Sequence, residues 1–127
     1  MLKIILVGMG GFMGAILRFW LGTYIQNRNP ILDFPLGTLI VNLSGCMAIG
    51  MLSRMDEIKE LLSPEIRMFL FMGFLGAFTT FSTFGNETIQ LFHAKRVDFA
   101  LLNVIIHVVV GLSSILIGRF IINIILK

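Results

Sequence analysis

The fold of this chain is decided by one unusual stretch, Gly76-Ala77-Phe78-Thr79-Thr80-Phe81-Ser82-Thr83-Phe84-Gly85-Asn86-Glu87. It lies in a long apolar segment, Met68 to Asn86, which has no charged residue and is long enough to cross a bilayer as a helix. Glycine, threonine and phenylalanine are poor helix formers, and hydroxyl side chains compete for backbone hydrogen bonds. Within a bilayer, a freed carbonyl is tolerated only where protein, water or an ion faces it. The stretch therefore predicts a transmembrane helix that is broken beside a pore.

Composition places the whole chain in a membrane. Of its 127 residues, 57% are hydrophobic and 13% are charged, and the mean hydropathy is +0.95. Soluble domains carry about 25% charged residues, so this chain has too few to cover its surface in water. We therefore expect an all-α membrane protein with a single domain, residues 1–127. The formal net charge of +3 fits basic loop ends, and we expect no nucleic-acid partner.

Four apolar segments are long enough to form transmembrane helices. They run from about Ile4 to Ile25, from Leu36 to about Ser53, from Pro64 to about His93, and from Phe99 to beyond Gly118. The order Ser63-Pro64-Glu65 is typical of a helix start, because serine caps, proline fits the first turn and glutamate favours the positive helix end. The charged segment Arg54 to Glu60 is expected to be helical and to lie at the membrane interface.

Basic residues fall on both sides of the predicted bundle. With the amino terminus inside the cell, six lysines and arginines lie inside, three lie outside, and Arg18 lies within the first span. The positive-inside rule then favours an amino terminus in the cytoplasm. The bias is weak, and a protein that inserts in both orientations requires a weak bias.

Small or polar residues recur at helical spacing in three of the predicted spans. The stripes are Gly8, Gly11, Ala15, Arg18 and Gly22; Thr38, Asn42, Gly45 and Ile49; and Asn103, His107, Gly111 and Ser114. Small residues of this kind usually allow helices to pack closely. Arg18, Asn42 and His107 need another explanation, because polar groups at membrane depth usually face a partner or a wet cavity.

The sequence gives little support for catalysis, and we expect no enzyme. It has no Cys/His metal set, no acidic pair within a span and no spacing that supports a Ser-His-Asp site. A small four-helix proton-coupled cation or drug exporter is the alternative that the chain length permits. Such a carrier needs a buried carboxylate; Glu87 is the only candidate, whereas Arg18 repels cations.

An anion pathway suits the third span better. Phe78, Phe81 and Phe84 repeat at helical spacing, and the edge of an aromatic ring carries partial positive charge. Serine and threonine hydroxyls and the Asn42 amide can donate hydrogen bonds to an anion. The alternative for the three phenylalanines is that they pack in the bundle or face lipid.

The third-span run from Gly73 to Phe84, continued by Asn86-Glu87, resembles the signature of the CrcB/Fluc fluoride channels. The run Gly10-Gly11-Phe12-Met13-Gly14-Ala15 leading to Arg18, and the run Gly37-Thr38-Leu39-Ile40-Val41-Asn42-Leu43-Ser44-Gly45, resemble the first and second spans of the same family. The similarity extends over essentially the whole chain. It differs at Ala77, where glycine is common in the family, and at Gly85, where a serine or another small residue is expected.

This resemblance implies four transmembrane helices, the third broken near Gly76–Thr80, in an antiparallel (dual-topology) homodimer. It implies a multi-pass protein of the prokaryotic plasma (inner) membrane, which exports cytoplasmic fluoride by passive electrodiffusion through two pores per dimer. It also implies a structural sodium ion at the dimer centre, bound by the backbone carbonyls of Gly76 and Thr79. The residues implied for the pore or its vestibule are Phe81, Phe84, Asn42, Ser82, Thr83, Arg18, Glu87, His107 and Ser114.

Overall fold

A computed structural model describes residues 1–29 and 34–127, and within these residues the secondary structure is entirely helical. Four helices are long and apolar enough to cross a membrane: Leu2–Arg28, Leu36–Lys59, Pro64–His93 and Val97–Ile125. We refer to them as the first to fourth spans. The four predicted spans are thereby confirmed, and the first, second and fourth are longer than their apolar segments suggested.

The second span continues through the predicted interfacial segment as one unbroken helix, and it ends at Lys59. The next residue, Glu60, has a left-handed backbone (φ 49°), and its N–H donates to the Asp56 carbonyl at 2.8 Å. The Asp56 carboxylate is buried, accepts the Leu62 N–H at 3.0 Å and pairs with Arg67 at 2.8 Å. These contacts turn the chain into the third span.

The third span begins as its sequence predicts. The Ser63 hydroxyl oxygen accepts the Ile66 N–H at 3.4 Å, and Pro64 occupies the first turn. After Arg67 the helix widens to π-helical geometry over Met68–Leu75 and returns to α-helix over Gly76–Phe78. The fourth span also contains a π-helical stretch, Ile106–Val110.

Glycines allow the spans to pack backbone against backbone in three pairs, one of which is the first span against the second at Gly22 and Gly37. The first span packs on the third: a Cβ on Gly14 would lie 3.0 Å from the carbonyl carbon of Phe74 and closer still to its oxygen. The second span packs on the fourth, where a Cβ on Gly50 would lie 2.9 Å from the Cα of Ile115. Close approach through small residues is a usual source of helix association in membranes.

The contact of the first span with the third is made mainly by glycines outside the predicted stripe, whereas Gly22 of that stripe packs against Gly37 of the second span. Gly10 and Gly14 are buried against the third span, whereas a Cβ on Gly8 would meet no atom within 4 Å. The later members of the stripe, Ala15 and Arg18, instead line a cavity. Glycines occur on more than one face of this helix, so their spacing alone could not identify the packed face.

An ion-pair cluster joins the second and fourth spans at one end of the bundle. Glu57 accepts hydrogen bonds from two nitrogens of the Arg119 guanidinium at 2.8 and 2.7 Å. Arg54 also pairs with Glu57 at 3.0 Å and donates through Nε to the Asn123 side-chain oxygen at 2.6 Å. A bidentate pair fixes orientation as well as distance, so this cluster sets the rotation of the two helices relative to each other.

Candidate functional site

The third span is broken at Thr79 and Thr80. Both residues have extended backbones, with φ −86° and ψ 157° at Thr79 and φ −150° and ψ 122° at Thr80. A new α-helix, Phe81–His93, begins directly afterwards, and the Thr80 side chain caps it by accepting the Thr83 N–H at 3.2 Å. The predicted break near Gly76–Thr80 is confirmed, and it lies at the carboxyl end of that range because Gly76 itself is helical.

The break redirects two backbone N–H groups. In an unbroken α-helix, Thr80 N–H would donate to the Gly76 carbonyl and Thr83 N–H to the Thr79 carbonyl. Here Thr80 N–H donates to the Asn42 side-chain oxygen at 2.8 Å, and Thr83 N–H donates to the Thr80 hydroxyl oxygen. The carbonyls of Gly76 and Thr79 have therefore lost their helical donors.

Asn42 bridges from the second span to this break. Its Nδ2 donates to the Thr80 carbonyl at 3.0 Å, while its Oδ1 accepts the Thr80 N–H. The side-chain amide thus satisfies both backbone groups of a residue that has no regular secondary structure. One Nδ2 hydrogen suffices for this contact, so the second remains for another acceptor.

A cavity of about 390 Å³, the smaller cavity, lies among the second, third and fourth spans. The predicted site residues along it are Asn42, Gly76, Thr79, Phe81, Phe84 and His107. The rings of Phe81 and Phe84 are 5.4 Å apart, and the Phe84 ring lies 4.3 Å from the His107 ring. Phe84 is buried, whereas Phe81 is 82% exposed on the surface of the chain.

A cavity of about 1010 Å³, the larger cavity, lies among the first, second and third spans. Its polar lining includes Arg18, Thr23, Gln26, Thr38, Thr80, Thr83, Glu87 and Gln90. The Thr38 hydroxyl donates to Glu87 Oε1 at 2.7 Å, and the buried Glu87 Oε2 has no hydrogen-bond partner among the described residues. Thr80 lines this cavity and the smaller one, so the helix break separates the two.

The remaining predicted residues take different positions. Ser82 and Thr83 form a hydroxyl cluster with Thr80: the oxygens of Thr80 and Ser82 are 3.2 Å apart, and Thr80 donates to Thr83 at 3.1 Å. Ser114 is buried and donates to the carbonyl of Val110 in its own helix at 2.7 Å. Among the described residues, the lining of neither cavity includes Ser114 or Ser82.

Two residues at the site were missed by sequence reasoning. Thr80 lies in sequence between the predicted residues Thr79 and Phe81. Its position at the junction of both cavities depends on contacts between spans, which the sequence does not reveal. Thr38 shares a helical stripe with Asn42, so extending the search along that stripe would have identified it.

Comparison with known proteins identifies the family of this chain. The family model described as CrcB-like protein, Camphor Resistance (CrcB), matches residues 5–119. The chain is 38% identical over 119 residues to Fluoride-specific ion channel FluC 1 of Methanosarcina acetivorans, with 94% of this chain and 89% of that protein covered. It is 40% identical over 119 residues to FluC 3 of Methanosarcina barkeri (94% and 89% covered). It is 34% identical over 119 residues to FluC of Ruminiclostridium cellulolyticum (94% and 91% covered). The chain therefore belongs to the CrcB-like protein family, as its third-span signature predicted.

Proposed function

We propose that this protein is a fluoride-specific ion channel that releases cytoplasmic fluoride by passive electrodiffusion. Relatives that cover most of the chain are named fluoride-specific ion channels. The structural observation that carries the proposal is the position of Thr80, whose backbone is held by Asn42 and which lines both cavities. An ion that crosses the bundle by way of these cavities passes the hydroxyl cluster at the break.

The chemistry of the break suits an anion. The α-helix Phe81–His93 begins there, and the start of a helix carries partial positive charge and unsatisfied N–H groups. The Thr83 hydroxyl, which accepts from Thr80, keeps its own hydrogen as a donor, and phenyl edges add weak positive charge. Fluoride is strongly hydrated, so several weak donors in succession can replace its water without trapping it. Arg18 in the larger cavity would raise the local concentration of anions.

The protein is proposed to work as an antiparallel, dual-topology homodimer with two pores, in the plasma (inner) membrane of a prokaryote. Phe81 is a bulky part of the proposed pore but is 82% exposed in the single chain. The pore wall that faces Phe81 must therefore come from outside this chain. A Cβ on Gly85, one turn further along the same helix, would meet no atom within 4 Å. This open face beside the break leaves room for a second copy.

A sodium ion is proposed to lie at the dimer centre, held by the backbone carbonyls of Gly76 and Thr79. The donor set fits, because both carbonyls have lost their helical N–H partners and hard oxygen atoms suit a small cation. Freed carbonyls at membrane depth need such a partner. We expect the purified dimer to dissociate faster when sodium is replaced by N-methylglucamine, as measured by size exclusion over time. An equal dissociation rate in both buffers would remove sodium from the assembly.

The function is tested by fluoride efflux from proteoliposomes that contain the full chain. Vesicles loaded with potassium fluoride should release fluoride once valinomycin carries potassium, because a passive channel requires a compensating charge. Chloride-loaded vesicles should show no release. Efflux that proceeds only with an imposed proton gradient would refute passive electrodiffusion, and no fluoride efflux in any condition would refute the channel.

A further inference from the structure

Asn103 on the fourth span is the most deeply buried polar residue of the described chain, with 0% exposure. Its Nδ2 donates to the Thr88 hydroxyl oxygen on the third span at 2.8 Å. The Thr88 hydroxyl in turn donates to the carbonyl of Phe84 at 2.8 Å. A continuous chain of two hydrogen bonds therefore joins the fourth span to the backbone of a proposed pore phenylalanine.

Asn103 also contacts His107, whose ring lies beside the Phe84 ring, through its main-chain carbonyl. The Asn103 carbonyl lies 3.0 Å from His107 Nδ1, and because a carbonyl can only accept, Nδ1 carries the hydrogen. The His107 ring lies 4.3 Å from the Phe84 ring at the wall of the smaller cavity. Asn103 is therefore linked to both rings: to Phe84 through the Thr88 hydroxyl, and to His107 directly through its main-chain carbonyl.

Packing alone does not explain an asparagine at this depth. A buried amide costs free energy unless its polar atoms are paired, and Asn103 Oδ1 has no hydrogen-bond partner among the described residues. The neighbouring positions 101 and 102 are leucines, which would fill the space without this cost. The useful part of the side chain is therefore Nδ2, the atom that donates to Thr88.

We infer that Asn103 is a positioning residue, which acts through the Thr88 hydroxyl to set the place of the Phe84 ring against His107. The inference rests on the proposed function, because the position of Phe84 matters to an ion only if the ion passes it. His107 lies in the π-helical stretch Ile106–Val110, where the helix has an irregular register. Because π-helical segments interrupt the regular hydrogen-bond ladder, the contact from the Asn103 carbonyl in the preceding turn helps to fix the orientation of the His107 ring.

The test removes the hydrogen bond from each side. Thr88→Val keeps the size of the side chain and deletes the hydroxyl, whereas Thr88→Ser keeps the hydroxyl and serves as the matched control. Asn103→Leu deletes the amide donor. Each full-length variant is reconstituted, its dimer is verified by size exclusion, and fluoride efflux is measured beside the wild type.

Thr88→Val and Asn103→Leu should each slow fluoride efflux by about five- to tenfold, the effect that one buried hydrogen bond has on an equilibrium. The double variant should be no slower than the slower single variant, because both changes remove the same contact. Thr88→Ser should restore efflux to within about twofold of the wild type. If Asn103→Leu fails to give a dimer, the comparison of Thr88→Val with Thr88→Ser decides the question.

Wild-type rates in both Thr88→Val and Asn103→Leu would overturn the inference, as would a Thr88→Ser variant as slow as Thr88→Val. Fully additive losses would also overturn it, because they would show two independent packing defects. A wild-type protein that releases no fluoride would refute the channel itself, and that result is distinct from all of these.

Discussion

Replacing Asn42 tests whether the helix break depends on one side chain. Asn42 accepts the Thr80 N–H at 2.8 Å and donates to the Thr80 carbonyl at 3.0 Å. Asn42→Leu has similar volume and removes both bonds. A buried backbone group left without a partner costs roughly 1–3 kcal/mol, so the two together cost roughly 2–6 kcal/mol. That is a large fraction of the roughly 5–15 kcal/mol that stabilises a folded protein.

Asn42→Asp separates support of the break from contact with the ion. The aspartate can still accept the Thr80 N–H, but it replaces the donor with an oxygen that faces the Thr80 carbonyl, and it places negative charge beside the proposed path. We expect Asn42→Leu to lower the melting temperature of the dimer and Asn42→Asp to suppress fluoride efflux even in protein that remains dimeric. Melting is followed by fluorescence-detected size exclusion after heating, and efflux by a fluoride electrode.

Ser44→Ala is the matched control on the same helix, because the Ser44 hydroxyl donates only to the Val41 carbonyl of its own span, at 2.8 Å. It should leave both measurements unchanged. Unaltered melting of Asn42→Leu would refute the structural role assigned to Asn42. Normal efflux of Asn42→Asp at neutral pH would place Asn42 outside the ion path, even if its loss destabilises the dimer.

Three further predictions concern the pore wall, the helix packing and the transported species. Phe81→Ile should abolish fluoride efflux without loss of the dimer, because it removes an aromatic edge; wild-type efflux would exclude Phe81 from the pore. Gly14→Ala should destabilise the folded chain by about 1–3 kcal/mol, since its Cβ would overlap the Phe74 backbone, whereas Gly8→Ala should not; equal melting temperatures would contradict the packing. Cells that express the wild type should resist fluoride but gain no drug resistance, with no drug phenotype in Glu87→Gln; drug resistance lost in Glu87→Gln would support the exporter instead.

The fold was accessible from sequence because its determinants are local. Hydropathy over about 20 residues identifies a span without knowledge of its neighbours, and the four spans follow from it. The break was visible for the same reason, since Thr79, Thr80 and the flanking glycines are unfavourable in any apolar helix. Ser63 and Pro64 likewise specify their helix start from adjacent positions.

The site was less accessible because its geometry depends on pairs of residues distant in sequence. Thr80 is held by Asn42, which is 38 positions away, and no periodicity within either span encodes that contact. The π-helical stretches Met68–Leu75 and Ile106–Val110 also shift the helical register, so faces inferred from a constant period fail there. Asn103 and Thr88 were missed as functional candidates because their hydrogen bond joins two spans, although Asn103 lies on the stripe that includes His107.

The break has opposite electrical character on its two sides, and this asymmetry connects the proposed ion path to the proposed assembly. The segment before it ends in carbonyls, and those of Gly76 and Thr79 have no helical donor, so this side favours a cation. The helix after it, Phe81–His93, begins with N–H groups and the Thr83 hydroxyl, which accepts from Thr80 and keeps its own hydrogen, so this side favours an anion. A cation on the carbonyl side would leave the donor side free for a mobile anion, because the two ions would then not compete for the same groups. If this separation holds, sodium removal and Thr80 substitution should have different effects: the first should shorten the lifetime of the dimer, and Thr80→Val should slow fluoride efflux from dimers that remain assembled.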